Sequence, residues 1–140
     1  VCDITRPAPN RKTLPLILAV LEAAGIPRSG ITICIATGLH RIATAAELDE
    51  ILGPEIARNY PIFNHDAKVF EDHVYIGETA SGIPAYVAKA FVNADLRITL
   101  GFIEPHLMLG YSGGRKLIAP GLAAQETIKV IHSPRFMRET

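Results

Sequence analysis

His40, His106 and Lys116 are the residues of this chain best suited to chemistry, and each is set in a turn-forming context. His40 follows Thr37-Gly38-Leu39, and His106 follows Glu104-Pro105, where proline stiffens the backbone just before it. Histidine titrates near neutral pH and serves as a general acid or base. Each also has a plain reading, as a loop or turn histidine bonded locally. Together, at two strand ends of one sheet face, they suggest acid/base groups on opposite sides of a substrate, as inversion at a carbon centre requires. Lys116 belongs to Tyr111-Ser112-Gly113-Gly114-Arg115-Lys116-Leu117. Its paired glycines let several N–H groups converge on one anion. Arg115 adds a planar fork of donors, and Lys116 a primary amine that is either a charge or a nucleophile. Pairing with phosphate is the default for such a lysine. A covalent role is the minority reading from chemistry alone.

Further polar residues cluster in the same way. Asp3 and Arg6, with Thr5 between them, precede Pro7; Asp3 and Arg6 can cap the next helix or form a local ion pair, and the Arg6-Pro7 step can hold a carboxylate or phosphate. His132 closes a helix, where the dipole alone favours it, with metal ligation as the alternative. His65 and His73 lie among Asn64, Asp66, Lys68 and Glu71 and read as surface residues. No CxxC, HExxH or Walker A spacing occurs, so zinc-hydrolase and P-loop readings lack their usual support.

The elements that must position these residues alternate. A helix is expected over Leu14–Ala24 with Gly25 as its stop, and an interior strand over Ile31–Ala36. Thr44 and Glu47 form a capping box that opens a helix to Leu52, and a short helix runs from Pro54 to Tyr60. His73–Glu78 and Ile83–Val87 flank Thr79–Gly82 as a hairpin, and Tyr86–Asn93 turns helical. Asp95–Gly101 reads as a second interior strand, and Leu122–His132 as a final helix introduced by Pro120-Gly121 and closed by Pro134. This order implies an α/β, Rossmann-like layered fold with a mostly parallel sheet. The polar motifs follow the carboxyl ends of the strands, the truncated first one before Asp3 included, where open parallel sheets bind ligands.

Composition narrows the classes. The 140 residues suffice for one domain, and 49% hydrophobic content argues against disorder. A formal net charge of zero, without a basic stripe interleaved with aromatics, argues against nucleic acid. No apolar run approaches the roughly 20 residues of a membrane span, and no signal-peptide pattern opens the chain. Cys2 and Cys34 sit in apolar, strand-like runs and read as buried reduced thiols, which suits a cytoplasmic protein. The chain starts at a motif and ends, over Arg135–Thr140, without a closing element, so it reads as a piece of a longer protein.

Asp-x-Thr-Arg-Pro at 3–7, Ala-Thr-Gly-Leu-His-Arg at 36–41, Gly-Phe-Ile-Glu-Pro-His at 101–106 and Gly-Tyr-Ser-Gly-Gly-Arg-Lys at 110–116 occur in this order. With Pro120-Gly121 and His132 they give the chain a resemblance to the N-terminal domain of the lactate racemase family, the nickel-pincer-nucleotide enzymes. The resemblance implies that residues 1–140 are a fragment of the cofactor-binding and catalytic domain of a two-domain protein. The implied cofactor is a nickel-binding pyridinium thioamide/thiocarboxylate mononucleotide, joined to the lysine that matches Lys116. His132 matches the nickel ligand, as imidazole suits nickel. His40 and His106 match the acid/base pair that moves the hydroxyl proton of a 2-hydroxy acid while the cofactor takes and returns the C2 hydride. Asp3, Thr5 and Arg6 are assigned to substrate and anion binding. Thr37, Gly38, Ser112, Gly113, Gly114 and Arg115 are assigned to the cofactor. Implied partners are a small 2-hydroxy acid, the missing C-terminal domain and cofactor-synthesis enzymes. The isolated fragment is expected to be inactive, and cofactor loading to need the whole protein. Three alternatives remain: another 2-hydroxy acid, a non-catalytic nucleotide- or phosphate-binding module, and a zinc hydrolase built on His40, His106 and His132.

Overall fold

The computed structural model describes residues 1–106 and 110–137. Helix α1 (Asn10–Ala23) buries Leu14 and Leu18, one turn apart, against the sheet. It ends in a Schellman motif: Gly25, at φ 88°, donates to the Glu22 carbonyl, and Ile26 donates to that of Leu21. Strand β1 (Ile33–Ile35) pairs in parallel with β2 (Ile62–Asn64), and Cys2 bridges in parallel to Ala36 just beyond β1. Parallel strands are present as expected, but in this one pair: the other two sheets among the described residues are two-stranded and antiparallel. Strand β2 is the element the sequence concealed, because three residues are too few to show a period.

Helices α2 (Ala45–Leu52) and α3 (Pro54–Asn59) follow, separated by Gly53 at φ 89°. The capping box forms in full: the Glu47 N–H donates to Thr44 Oγ1 at 3.3 Å, and the Thr44 N–H to Glu47 Oε2 at 2.8 Å. With Arg41 on both its oxygens, Glu47 is held down to about 2. Its folded value lies below the ordinary one, so its stabilisation is complete above about pH 4.5 and is lost as pH falls through 2. Thr44→Ala is expected to cost about 1 kcal/mol in chemical denaturation, with an unchanged slope against denaturant.

The hairpin forms from β3 (His73–Glu78) and β4 (Pro84–Ala88), with a bulge between Tyr75 and Gly77. Ladder pairing with β3 holds Tyr86–Ala88 extended, which shortens the expected helix over Tyr86–Asn93 to α4 (Lys89–Val92). The expected final helix is shorter too. Leu122–Ala124 runs antiparallel to β4, through Ala88 N–H to Leu122 O and Ala124 N–H to Tyr86 O, before α5 (Gln125–Ile131) begins. Pro134 does not merely close that helix; it opens α6 (Pro134–Met137), since proline suits a first helical turn.

The largest correction concerns Asp95–Gly101. It forms no strand, and Leu96 and Ile98 are exposed. It lies along an apolar groove of about 510 Å³ shared with Val1, Ile31, Cys34 and Leu18, and no described strand pairs with it. A β-rich composition makes a strand only where a neighbour completes the ladder. Its polar follower, Glu104-Pro105-His106, is held instead by a two-residue antiparallel pair, β5 (Pro105–His106) with β6 (Gly110–Tyr111). The expected chain end over Arg135–Thr140 falls partly on 138–140, outside the described residues. Cys2 and Cys34 are free thiols, the first buried and the second partly so.

The core gathers Leu14, Leu18, Ile33, Ile35, Ile51, Leu52 and Tyr60 between the parallel strands and α1–α3. A second cluster, Ala67, Ala123 and Ile128, seats α5 behind the site. Thr127 pins α5 to the hairpin: its hydroxyl accepts from Tyr86 N–H and donates to the Pro84 carbonyl.

Candidate functional site

A cleft of about 440 Å³ opens where the motif segments converge. Its wall takes Cys2, Asp3, Thr5 and Arg6 from the start of the chain, and Thr37, Gly38 and His40 from the loop after β1. His106, Ser112, Gly113 and Lys116 join it from the later motifs, and Pro120, Gly121, Ile128 and His132 line the rest. Eleven of the thirteen residues singled out from the sequence thus share one cavity. Gly114 and Arg115 are exposed and lie outside its wall.

Asp3 and His40 form its best-defined unit. His40 Nδ1 is 2.6 Å from Asp3 Oδ2, and the other oxygen of Asp3 accepts from Thr5 Oγ1 at 2.6 Å and Thr5 N–H at 3.2 Å. Asp3 is 6% exposed, so these bonds replace water for its carboxylate. A carboxylate on Nδ1 places the hydrogen there and leaves Nε2 as a proton acceptor. Asp3→Asn would reverse that tautomer by presenting an amide N–H to Nδ1. Wherever His40 works as a general base, this variant is expected to lower the rate about 100-fold while the fold is kept, as read by circular dichroism beside the rate.

Arg6 Nη1 donates to Glu104 Oε1 at 2.6 Å, tying the first motif to the third. Ser112 fastens the glycine loop to the same stretch. Its hydroxyl donates to the Phe102 carbonyl and accepts from Glu104 N–H, and its own N–H donates to the Glu104 carbonyl. Ser112 therefore staples the loop, and an anion cradle rests more on the backbone of Gly113 and Gly114. Gly113 is required sterically: at φ 70°, a Cβ there would lie 2.9 Å from the Phe102 carbonyl oxygen. Gly121 is tighter still, 2.3 Å from the Leu117 carbonyl oxygen. A tight 3-10 turn over Gly114–Leu117 then turns Lys116 into the cleft.

The site is electrostatically tuned around Lys116. Partial burial, and then the Arg6 guanidinium, lower its pKa, with Cys2 and Glu104 opposing. Burial lowers His106 first, followed by Lys116, Arg6 and His132, against Glu104. Burial and Lys116 lower His132. For Lys116, His106 and His132 the direction is toward the neutral form, the form that acts as nucleophile, base or metal ligand.

The sequence missed Glu104 as the partner of Arg6, although it stood inside a quoted motif. It also misplaced His65 and His73, which are 0% and 5% exposed behind Thr37. Polar flanks suggested the surface; the two rings instead meet each other, and Thr37 and the Val69 carbonyl, in the interior.

A mixed α/β domain whose histidine-and-lysine cleft gathers the loop after a parallel strand and a glycine turn is the class that fold and site define. Comparison with known families sharpens it: the family model described as lactate racemase N-terminal domain matches residues 1–140, and the chain belongs to that family. Among curated relatives, the lactate racemase of Thermoanaerobacterium thermosaccharolyticum is 39% identical over 136 residues, 97% of this chain and 32% of the relative. That of Lactiplantibacillus plantarum is 39% identical over 135 residues, again 32% of its length. The chain therefore spans about a third of these relatives. The solved apoprotein of the Thermoanaerobacterium lactate racemase superposes with a TM-score of 0.92 at 38% identity, covering 98% of this chain and 33% of that one. A crystal structure of a Thermotoga maritima protein, 24% identical with a TM-score of 0.78 over 94% of this chain and 34% of that one, shares the fold. Among the described residues, no helix is long and apolar enough to cross a membrane.

Proposed function

We propose that the full-length protein is a cytoplasmic racemase or epimerase of a small 2-hydroxy acid, lactate first, working by hydride transfer with a nickel-pincer nucleotide. The observation that carries this reading is the convergence of Lys116, His132, His106 and the Asp3–His40 pair on one cleft. The donor set fits such a group. Among the described residues, no three of His, Cys, Asp or Glu come together as a metal site. A metal here would need a bound group that brings its own donors, with His132 adding one nitrogen. The same donor count disfavours a zinc hydrolase.

The residues divide the work. Lys116 would anchor the nucleotide covalently, its amine kept reactive by burial and Arg6. The Gly113-Gly114 turn would hold its phosphate, and His132 its nickel. The chemistry the group supplies when bound is reversible uptake of the C2 hydride. His40 Nε2 would take the hydroxyl proton of one enantiomer, with Asp3 holding the ring and stabilising the imidazolium. His106, which lines the same cleft from β5, would serve the other enantiomer. Arg6 would orient the substrate carboxylate while its pair with Glu104 limits its swing. A C-terminal domain and cofactor-synthesis enzymes are the proposed partners.

The test is racemisation of L-lactate in D2O by the full-length protein, co-expressed with the cofactor-synthesis enzymes. Hydride transfer predicts D-lactate that keeps its protium at C2. Deuterium at C2 would mean deprotonation at carbon and would overturn the mechanism. Turnover of a larger 2-hydroxy acid but not lactate would change the substrate and leave the site chemistry standing.

A further inference from the structure

His65 and His73 stand outside the chemistry described above, yet they are buried directly behind a residue that lines the cleft. His73 Nδ1 lies 2.9 Å from the Val69 carbonyl oxygen, and His73 Nε2 lies 2.9 Å from His65 Nε2. His65 Nδ1 lies 2.9 Å from Thr37 Oγ1, which is also 2.7 Å from the His65 carbonyl oxygen. The rings meet edge to face, with centroids 5.1 Å apart. Thr37 is the root of the loop that presents His40: its carbonyl accepts from His40 N–H, and the next residue, Gly38, donates to the Gly121 carbonyl.

Hydrogen bookkeeping orders this chain. With both rings neutral, the two imidazoles and one hydroxyl bring three hydrogens to these four contacts, and the Ala123 carbonyl stands as a further acceptor at the His65 ring. A carbonyl only accepts, so His73 carries its hydrogen on Nδ1 and leaves Nε2 bare. His65 must then donate from Nε2, which leaves its Nδ1 bare toward Thr37. The Thr37 hydroxyl is thereby held between two acceptors of one residue, His65 Nδ1 and the His65 carbonyl. Burial, and then His73, push His65 down to about 4, while Asp66 and the Ala123 carbonyl pull it up, so its ring is neutral near pH 7. Buried polar pairs are costly compared with apolar filling, and their use is to specify one arrangement.

We propose that His65 and His73 are positioning residues, a pair locked in one tautomer that anchors, through Thr37, the loop presenting His40 to the cleft. The kinetic consequence rests on the racemase reading; the hydrogen order does not. The test uses the full-length protein labelled with 15N-histidine, comparing wild type with His73→Phe, which removes the acceptor, and His73→Gln, which restores one near Nε2. Tautomer-sensitive spectra should show wild-type His65 with its hydrogen on Nε2. In His73→Phe, His65 should change tautomer, the His40 ring signals should shift, and kcat should fall about tenfold at unchanged KM. His73→Gln should recover all three. If His73→Phe fails to fold, Thr37→Val tests the link from the other end and should shift the His40 signals, while Thr37→Ser should not. A wild-type His65 with its hydrogen on Nδ1, or His40 signals indifferent to these variants, would overturn the proposal. Expected spectra in a protein without racemase activity would uphold the pair and remove the proposed function instead.

Discussion

Lys116→Ala in the full-length protein is expected to remove the covalent adduct, strip nickel from the purified enzyme and abolish racemisation. The side chain reaches the cleft from a tight turn set by Gly113 and Gly114, and burial with the Arg6 charge disfavours its ammonium form. An amine held this way is a nucleophile as much as a phosphate partner. Lys116→Arg separates the two roles. Arginine keeps the charge and pairs well with phosphate, but it cannot form the same covalent link. If the residue only neutralises a phosphate, Lys116→Arg retains cofactor and turnover. The covalent account predicts that Lys116→Arg fails as completely as Lys116→Ala, as read by intact mass, nickel content and a chiral lactate assay.

His40→Gln and His106→Gln should each slow turnover about 100- to 10,000-fold while leaving adduct and nickel in place. The two residues face the cleft from different segments, one backed by Asp3 and the other on β5 near Lys116. Each is assigned to one enantiomer, yet losing either must slow both directions. The enantiomers have equal free energy, so the forward and reverse values of kcat/KM stay equal in any variant. Measuring L-to-D and D-to-L rates together checks this. Near wild-type rates in both variants would take the acid/base pair out of the mechanism.

The candidate site was more legible in the sequence than the fold that carries it. Asp3, Thr5, Arg6, Thr37, His40, His106 and Lys116 announced themselves by residue type beside turn-formers, and local chemistry of that kind survives without knowledge of packing. Capping at Thr44 and the helix stop at Gly25 were equally local and formed as expected. What failed depended on neighbours distant in sequence. Asp95–Gly101 has strand composition but no described ladder partner, and Tyr86–Ala88, expected to begin a helix, pairs with β3 instead. The burial of His65 and His73 was invisible for the same reason. Their flanks are polar, and only tertiary packing supplies Thr37, Val69 and each other as partners.

The central claim is that Lys116 carries a nickel-binding nucleotide, and the mass of one peptide tests it most directly. Full-length protein co-expressed with the cofactor-synthesis enzymes should be digested and the peptide spanning Gly113–Leu117 mapped, with nickel measured on the same sample. An adduct of nucleotide mass on Lys116 together with stoichiometric nickel is the predicted result. An unmodified Lys116 in a nickel-free protein that still binds nucleotide would contradict it and leave a binding module in its place.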